Sequence, residues 1–374
     1  MEKVDEMWSQ ITSGRPFSIA EAGVNHLGSI ELGEQLIAGA AKSGASAIKF
    51  QSYKAKNLCT KDAPRFWDWE GEEKQEGTQF DSYSILDSFG EKEHLELKKI
   101  CEKYGIVFMS TPFDNEAVDY LDRIGTCIYK IASCDITNFP LLEHVAQKRK
   151  IVMLSTGAST MDEIRAAVQV VSEYTQKIVI MHCNLKYPTA NNEINLAMIN
   201  DLKKEFGNKY VIGLSDHTMN LLTPACAYIL GATVFERHFT IDKTLKKSAD
   251  HWLSADVDDM TKIIENVNLA AEMLGEDIKN STPSEERARK YARRSIVAAK
   301  EIKAGEILTE ENLACKRPGT GLSPVFWNVV IGTRATRNLK EDEVLQKKDF
   351  DNEEYLKRLG AGRSKLRNNP SEWA

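Results

Sequence analysis

The sequence predicts an α/β protein built on a closed (β/α)8 barrel, a TIM barrel, with a smaller domain after it. Short apolar segments recur along the first 275 residues, and segments with helical periodicity lie between them. The centres of successive apolar segments mostly lie 21 to 32 residues apart, which fits one strand, one helix and their turns. There are eight such units, and that number favours a closed barrel over an open sheet.

The eight predicted strands are short and end at turn or polar residues. They are Phe17–Ala20, Ala47–Phe50, Ile106–Ser110, Cys127–Ile131, Ile151–Leu154, Ile178–His182, Tyr210–Leu214 and Thr233–Phe235. The helices between them carry ordinary signals, such as the i, i+3, i+4, i+7 stripe from Leu97 to Tyr104 that ends at Gly105. Thr160 and Glu163 predict a capping box at the start of the helix after the fifth strand.

One interval is too long for a single βα unit, since the second and third strands lie 60 residues apart. The excess, roughly Lys54–Ser88, is polar but contains the aromatic residues Trp67, Trp69, Phe80 and Tyr83. Insertions after barrel strands often cover the active face, so we expect either such a cover or a surface loop without function.

The barrel pattern ends near Gly275. Residues 1–275 are predicted to form the barrel, 276–294 a polar linker, 295–352 a second domain, and 353–374 a charged peripheral tail. The second domain contains a weak internal repeat, Glu301–Leu313 against Asn338–Phe350, which is typical of two half-domains related by pseudo-symmetry.

Composition excludes several classes of protein. The net charge of −6 argues against a nucleic-acid surface, and 28% charged with 42% hydrophobic residues is typical of a soluble globular protein. No apolar run approaches the ~20 residues that cross a membrane, and the acidic N-terminus lacks a signal-peptide core. The seven cysteines are scattered without a CxxC pair, which indicates reduced thiols in a cytoplasmic protein.

Two histidines, His217 and His238, follow the last two predicted strands. The ends of neighbouring parallel strands lie about 5 Å apart, so the two imidazoles can share one divalent ion. Asp216 and Glu236 flank them and are expected to orient the rings. A single histidine at a strand end is more often an ordinary hydrogen-bonded residue, but the pair favours a metal site.

Two lysines, Lys49 and Lys130, lie inside predicted strands, where a buried charge needs a partner. A phosphate or carboxylate ligand is one partner, with hydroxyls such as those of Ser155 and Ser215 as neutral donors. A barrel glutamate is the alternative partner. The other polar side chains predicted at this rim are Glu21, Gln51, Thr111 and Ser133.

In these motifs the chain resembles the sialic acid synthases and related enzymes that make nine-carbon 3-deoxy-2-keto sugar acids. The motifs, in chain order, are EAGVNH from Glu21, AIKFQ, STPFD, YKIAS, LSTG, HCNLKYPT, GLSDHT and ERHFT. The segment RSIVAAKEIKAGEILTEENLACKRPGTGL resembles the C-terminal antifreeze-like (SAF) β-clip domain of the family. The resemblance covers nearly the whole chain.

The resemblance implies a reaction in which phosphoenolpyruvate condenses with the open-chain aldehyde of an N-acylated hexosamine and inorganic phosphate leaves through C–O cleavage. It implies that His217 and His238 hold Mn²⁺ or Mg²⁺. The implied phosphoenolpyruvate-binding residues are Lys49, Thr111, Lys130, Ser133, Ser155 and Ser215. Glu21 is the candidate for proton handling, and Asp250 lies where the family places an acid near the metal-bound water.

On the sugar side the resemblance implies binding by Gln51, Asp135, Tyr187 and Arg317. Arg317, in the SAF-like segment, would enter the barrel of a partner subunit and so make a domain-swapped homodimer. Two residues depart from the N-acetylneuraminate enzymes: Asp135 replaces a glutamate and Leu185 replaces an asparagine. A 6-deoxy-diacetamido sugar, as for legionaminic or pseudaminic acid, is therefore an alternative substrate.

Two other classes of protein compete with this interpretation. A metal-dependent aldolase or amidohydrolase would use a similar barrel, but the seven histidines form no HxH pair. A non-catalytic sugar-binding barrel has no need for Lys49, Lys130, His217 and His238 at one rim. The octulosonate and heptulosonate synthases share the chemistry but normally lack the C-terminal module.

Overall fold

The computed structural model describes residues 2–67, 76–248, 250–351 and 353. The chain divides into two compact units, Met1–Gly275 and Glu276–Ala374, which are described separately below. Trp69 of the predicted insertion and the predicted tail after residue 353 lie outside the described residues.

The first unit is a closed barrel of eight parallel strands that follow one another in chain order, as the sequence predicts. The strands are β1 (Phe17–Gly23), β2 (Ala47–Ser52), β3 (Val107–Pro112), β4 (Ile128–Ile131), β5 (Ile151–Ser155), β6 (Ile178–Cys183), β7 (Val211–Asp216) and β8 (Val234–His238). Strands β7 and β8 extend further than predicted, because Asp216 and Arg237 continue the strand pairing.

Helices surround and close this barrel. They are α1 (Glu2–Ile11), α2 (Ile30–Lys42), α3 (Ala55–Leu58), α4 (Gln79–Leu86), α5 (Glu91–Tyr104), α6 (Asn115–Arg123), α7 (Phe139–Ala146), α8 (Met161–Ser172), α9 (Met198–Phe206), α10 (Thr223–Leu230) and α11 (Val257–Leu274). The predicted end of α5 is confirmed, since Gly105 has φ 69° and caps the helix in the left-handed region. The capping box of Thr160 and Glu163 is present at the start of α8.

Strict alternation along the strands gives the barrel two apolar layers. Outward-facing residues such as Phe50, Tyr129 and Leu214 are buried against the surrounding helices. Inward-facing residues at the start of the strands, such as Ile19 and Met153, form a second cluster inside the barrel. Val4 and Ile11 of α1 join this inner cluster. The amino-terminal end of the barrel is therefore a packed hydrophobic core.

The second unit is built from short elements around its own apolar core. They are α12 (Glu286–Tyr291), β9 (Ser295–Ala298), β10 (Leu313–Lys316) and α13 (Trp327–Val330), with β9 and β10 antiparallel. The internal repeat is confirmed in the backbone, because Ile302 and Leu339 exchange hydrogen bonds of 2.9 and 2.8 Å in both directions. The same repeat places Leu308 and Leu345 at equivalent buried positions.

Among the described helices, none has the length and apolar content needed to cross a bilayer.

A buried ion pair joins the carboxyl ends of β7 and β8. Arg237 Nη1 lies 2.6 Å from Asp216 Oδ2, and the two side chains are 4% and 0% exposed. Asp216 also accepts from the backbone N–H of Thr218 at 2.9 Å, so its buried carboxylate is well satisfied only while Arg237 is present.

We expect Arg237→Met to lower the free energy of unfolding by about 3 to 5 kcal/mol, because it leaves a buried carboxylate without its counter-charge. Urea unfolding of both proteins measures this difference. Arg165→Met is the matched control: Arg165 pairs with Glu205 at 2.8 Å but is 48% exposed, so its loss should cost less than about 1 kcal/mol. Equal effects of the two substitutions would contradict this assignment.

Candidate active site

Four buried charges form the floor of a cavity at the carboxyl end of the barrel. Glu21, Lys49, Lys130 and Glu236 face inward from β1, β2, β4 and β8, and each is at most 3% exposed. Lys49 forms an ion pair with Glu21 and lies 3.8 Å from Glu236 Oε1. Lys130 Nζ lies 2.9 Å from the same Glu236 oxygen. Both lysines therefore pair with barrel glutamates, the alternative that the sequence left open, and both line the cavity.

The two glutamates have opposite pKa shifts. Burial would raise the pKa of Glu236, but the charges of Lys130 and Lys49 outweigh it and lower the pKa to about 2. Burial dominates at Glu21, where the charge of Lys49 only partly offsets it, so the pKa of Glu21 is raised. Two carboxylates whose environments separate their pKa values can take different roles in proton transfer. Glu236 remains a carboxylate, and Glu21 is the group able to carry a proton.

Hydroxyl groups surround this floor at the strand ends. Thr111 accepts from Lys49 at 3.0 Å, and Ser215 donates to Glu236 at 3.1 Å. Ser155 Oγ is buried and has no hydrogen-bond partner among the described residues, so it is available to a ligand.

Ser133 approaches the loop after β5 closely. The backbone N–H of Gly157 donates to Ser133 Oγ at 3.0 Å. A Cβ at residue 157 would lie 2.8 Å from that oxygen and 2.9 Å from the backbone nitrogen of Leu185. Only glycine therefore allows these loops to meet beside the cavity.

The imidazoles of His217 and His238 lie side by side, with ring centroids 5.2 Å apart. His217 Nδ1 lies 2.6 Å from the carbonyl oxygen of Asn184. This contact fixes the proton on Nδ1 and leaves the lone pair of Nε2 to bind a metal ion. Tyr187 packs on His217 with centroids 4.0 Å apart. His238 Nδ1 lies 3.5 Å from Asp250 Oδ2. The two imidazoles are adjacent, and a cation bound by them would need further oxygen ligands.

The expectation that Asp216 and Glu236 orient the two imidazoles is wrong. Asp216 faces outward and pairs with Arg237, while Glu236 faces inward and pairs with Lys130. A backbone carbonyl, that of Asn184, takes the orienting role at His217. Asp216, next to His217, faces the opposite side of β7 because side chains alternate along a strand. Glu236, two residues before His238, shares the inward face of β8 but pairs with Lys130.

The insertion after β2 forms one wall of the cavity. Its described residues Leu58, Phe66, Trp67, Tyr83 and Leu86 line the cavity, with Leu185 among the lining residues contributed by other loops. The base of the insertion is tied down, since Lys54 donates to the carbonyl of Phe89 at 3.1 Å and Ala55 N–H donates to Asp87 at 3.0 Å. Of the two expectations for this segment, the structure therefore favours the cover over the active face.

One cavity of about 610 Å³ collects the barrel residues that the sequence singles out. They are Glu21, Lys49, Gln51, Thr111, Lys130, Ser133, Asp135, Ser155, Tyr187, Ser215, His217, His238 and Asp250. Gln51 donates to Glu21 at 3.1 Å, and Asp135 accepts from Asn138 at 3.1 Å. Arg317 is exposed and lies in the second unit, just after β10.

Two cavity residues were missed or misjudged from the sequence. Glu236 was expected to orient a ring, although its inward position follows from alternation with Val234 and His238. Tyr53 is not among the predicted residues. It lies just beyond the end of β2 and follows Lys49 and Gln51 in the alternation that faces the cavity. Alternation was the signal that would have found both.

Comparisons with known proteins find similarity over most of the chain. The NeuB family model matches residues 36–279, and the SAF domain model matches residues 293–351. The N,N′-diacetyllegionaminic acid synthase of Campylobacter jejuni is 39% identical over 88% of this chain and 98% of its own length. Pseudaminic acid synthase of the same organism is 32% identical over 91% of this chain and 98% of its own length. An N-acetylneuraminic acid synthetase structure from Leptospira borgpetersenii has TM-score 0.65 and 35% identity, covering 73% of this chain and 90% of its own.

The depressed pKa of Glu236 predicts a specific dependence of stability on pH. Because its folded-state pKa of about 2 lies below the ordinary value of 4.5, its charged form contributes stability above pH 4.5 that is lost as the pH falls toward 2. Between about pH 6 and pH 3, wild type should lose about 2 kcal/mol relative to Glu236→Gln, which has no carboxyl group to titrate. Urea unfolding of both proteins at the two pH values measures this change, and parallel losses would contradict it.

Proposed function

Because the chain belongs to the NeuB family, we propose that it condenses phosphoenolpyruvate with the aldehyde of an N-acylated hexosamine to give a nine-carbon 3-deoxy-2-keto sugar acid and phosphate. The observation that carries the proposal is that two buried lysines and two adjacent imidazoles line the same cavity. The lysines suit an anionic substrate, and the imidazoles suit a cation that holds a carbonyl oxygen.

Phosphoenolpyruvate would bind over the floor through Lys49 and Lys130. A ligand that carries phosphate and carboxylate groups matches two ammonium groups and the hydroxyls of Thr111, Ser133, Ser155 and Ser215. Such a ligand would give Ser155 a hydrogen-bond partner, which its buried oxygen lacks among the described residues. Glu236 stays ionised between the lysines and keeps both ammonium groups in place before the substrate arrives.

His217 and His238 would hold a divalent cation, Mn²⁺ or Mg²⁺. The residues fit this role because Nδ1 of His217 is committed to the Asn184 carbonyl, so its Nε2 is the free donor, and because the rings are adjacent. When bound, the cation supplies Lewis-acid polarisation of the aldehyde oxygen. Asp250, beside His238, would orient a water ligand or the aldehyde.

The reaction balances with water as the third reactant. C3 of phosphoenolpyruvate forms a bond to the aldehyde carbon, the aldehyde oxygen becomes a hydroxyl, and water adds to C2. The C2–O bond to phosphate then breaks, and C2 becomes the ketone of the product. Glu21 would carry the proton between the water and the new hydroxyl, because burial raises its pKa above that of an ordinary carboxyl group.

The sugar side of the cavity supports a 6-deoxy-diacetamido hexose, as in legionaminic or pseudaminic acid synthesis. Leu185 replaces a polar residue of the N-acetylneuraminate enzymes, and Asp135 is one methylene shorter than their glutamate. Both line the cavity, together with the apolar insertion residues Leu58 and Leu86. An apolar wall suits methyl groups better than hydroxyls.

The resemblance of KRPGTG to the family motif supports a domain-swapped homodimer, in which Arg317 of one chain binds the N-acyl sugar in the barrel of its partner. Arg317 is exposed after β10, which leaves its guanidinium accessible to a second chain.

An assay of phosphate release tests the proposed function. The protein is incubated with phosphoenolpyruvate and a panel of N-acetylated hexoses, including N-acetylmannosamine and a 2,4-diacetamido-2,4,6-trideoxyhexose, with and without EDTA. Phosphate release should require both sugar and divalent cation, and the product mass should equal sugar plus phosphoenolpyruvate plus water minus phosphate. Phosphate release without sugar, or activity unaffected by EDTA, would count against the proposal.

Two lysine variants control this assay. Lys130→Met should abolish phosphate release, because it removes a charge from the floor. Lys148→Met, which removes a lysine paired with Asp119 at 2.6 Å outside the cavity, should leave it unchanged.

Substitution of Arg317 should affect the sugar alone. We expect Arg317→Ala to raise the KM for sugar about tenfold or more through loss of a charged hydrogen bond, with the KM for phosphoenolpyruvate unchanged. Arg287→Ala, an exposed arginine of α12, should change neither constant. Steady-state kinetics with each substrate varied in turn separates these outcomes, and an equal rise in both KM values would contradict the assignment.

Mixing two defective chains tests the swap itself. A Lys130→Met chain keeps Arg317 but has a disabled barrel, whereas an Arg317→Ala chain has an intact barrel. Mixed dimers should regain activity if the arginine acts across subunits, and no recovery after exchange would show that it acts within its own chain.

A further inference from the structure

Tyr53 is a buried tyrosine in the cavity whose hydroxyl has no role in the fold. Its side chain lines the cavity and is 5% exposed, and its hydroxyl has no hydrogen-bond partner among the described residues. Buried hydroxyls normally have partners. Tyr129, for example, is fully buried and donates to the carbonyl of Val118 at 3.2 Å.

The ring of Tyr53 is held firmly in place. It makes edge-to-face contacts with Tyr83 and Phe113, with ring centroids 5.5 and 5.9 Å away. Val24 and Leu86 complete the apolar cluster around it. Packing alone would be served equally well by phenylalanine, so the hydroxyl is a cost to the unliganded fold.

The environment of the Tyr53 hydroxyl keeps it protonated. Burial raises the pKa of Tyr53 well above its ordinary value, and the nearby Tyr83, Asp87 and Asp250 raise it further. Asp250, one of the charges that act on Tyr53, is also the carboxylate beside His238. At every working pH the phenol is therefore neutral and can donate a hydrogen bond.

We propose that Tyr53 is a sugar-binding residue whose hydroxyl donates to the acetamido carbonyl of the acceptor sugar, while the surrounding apolar side chains contact the methyl group of that acetamide. This inference rests on the proposed function and deepens it. The chemistry matches because an acetamido group presents an acceptor oxygen next to a methyl group, and the wall presents the Tyr53 hydroxyl within an aromatic and aliphatic surface. A site built this way discriminates against a sugar that lacks the acetamide, because the donor then stays unpaired.

Tyr53→Phe tests the proposal, since it removes one oxygen and keeps the ring contacts. At saturating phosphoenolpyruvate, kcat/KM for the sugar should fall about tenfold or more, mainly through KM, because the bond forms in the ground state as well as the transition state. The KM for phosphoenolpyruvate should stay unchanged. The urea midpoint of the unliganded protein should stay equal or rise, because an unpaired buried hydroxyl is removed.

Tyr129→Phe is the matched control and should behave in the opposite way. It removes a buried hydroxyl whose partner is Val118, so the urea midpoint should fall while kcat/KM stays within about twofold.

The outcomes separate this inference from the proposed function. If wild type makes no product with any sugar, the proposed function fails and this inference fails with it. If wild type is active but Tyr53→Phe keeps kcat/KM for the sugar within about twofold, only this inference fails. A fall in the urea midpoint like that of Tyr129→Phe, with both substrates affected equally, would also overturn it by showing a structural role.

Discussion

The pairing of two lysines with two glutamates inside the barrel is the interaction on which the site depends. A buried ammonium group without a counter-charge is too costly to keep, so Lys49 and Lys130 exist at the floor only because Glu21 and Glu236 accompany them. An arriving anion must therefore compete with these carboxylates. Burial raises the pKa of Glu21, whereas the lysines lower that of Glu236, so Glu21 is the more readily protonated of the two carboxylates. Glu236, which contacts both lysines, stays charged and keeps them in position.

The same alternation of side chains that builds the hydrophobic core also builds the floor. Along β1 the inward positions run from Phe17 and Ile19 to Glu21, so apolar packing gives way to charge within two residues. The core below, closed by α1, provides the rigidity and the burial that offset the cost of charges above it. A substitution in the lower layer therefore affects the geometry of the floor without touching the substrate.

Sequence periodicity predicts the strands and most of the polar residues that line the cavity, because both follow from local patterns of two and about four residues. It was insufficient for the choice of partners. Asp216 and Glu236 each precede a histidine, yet one pairs with Arg237 outside the barrel and the other with Lys130 across its centre. Which residues pair depends on which strands face each other across the barrel. The order of residues along the chain does not give the distances between those strands. The hydroxyl of Tyr53 lacks a partner among the described residues, and the sequence could not predict this because it appears only after the neighbours are placed.

Strands supply some residues of the cavity and loops supply others, and this arrangement fits the proposal that one reaction can serve different sugars. The lysines, the glutamates, Ser155 and Ser215 project from strands, whose spacing is fixed by backbone hydrogen bonding. The cavity-lining side chains of Tyr83, Asp135 and Leu185 lie instead outside the strands, in the insertion and the loops. Loops tolerate substitution and change of length without loss of the barrel. Under the proposed function, the loops could therefore adapt from a hydroxyl-rich sugar to a deoxygenated one while the strand residues proposed to bind phosphoenolpyruvate stay the same, and Asp135 and Leu185 both lie outside the strands.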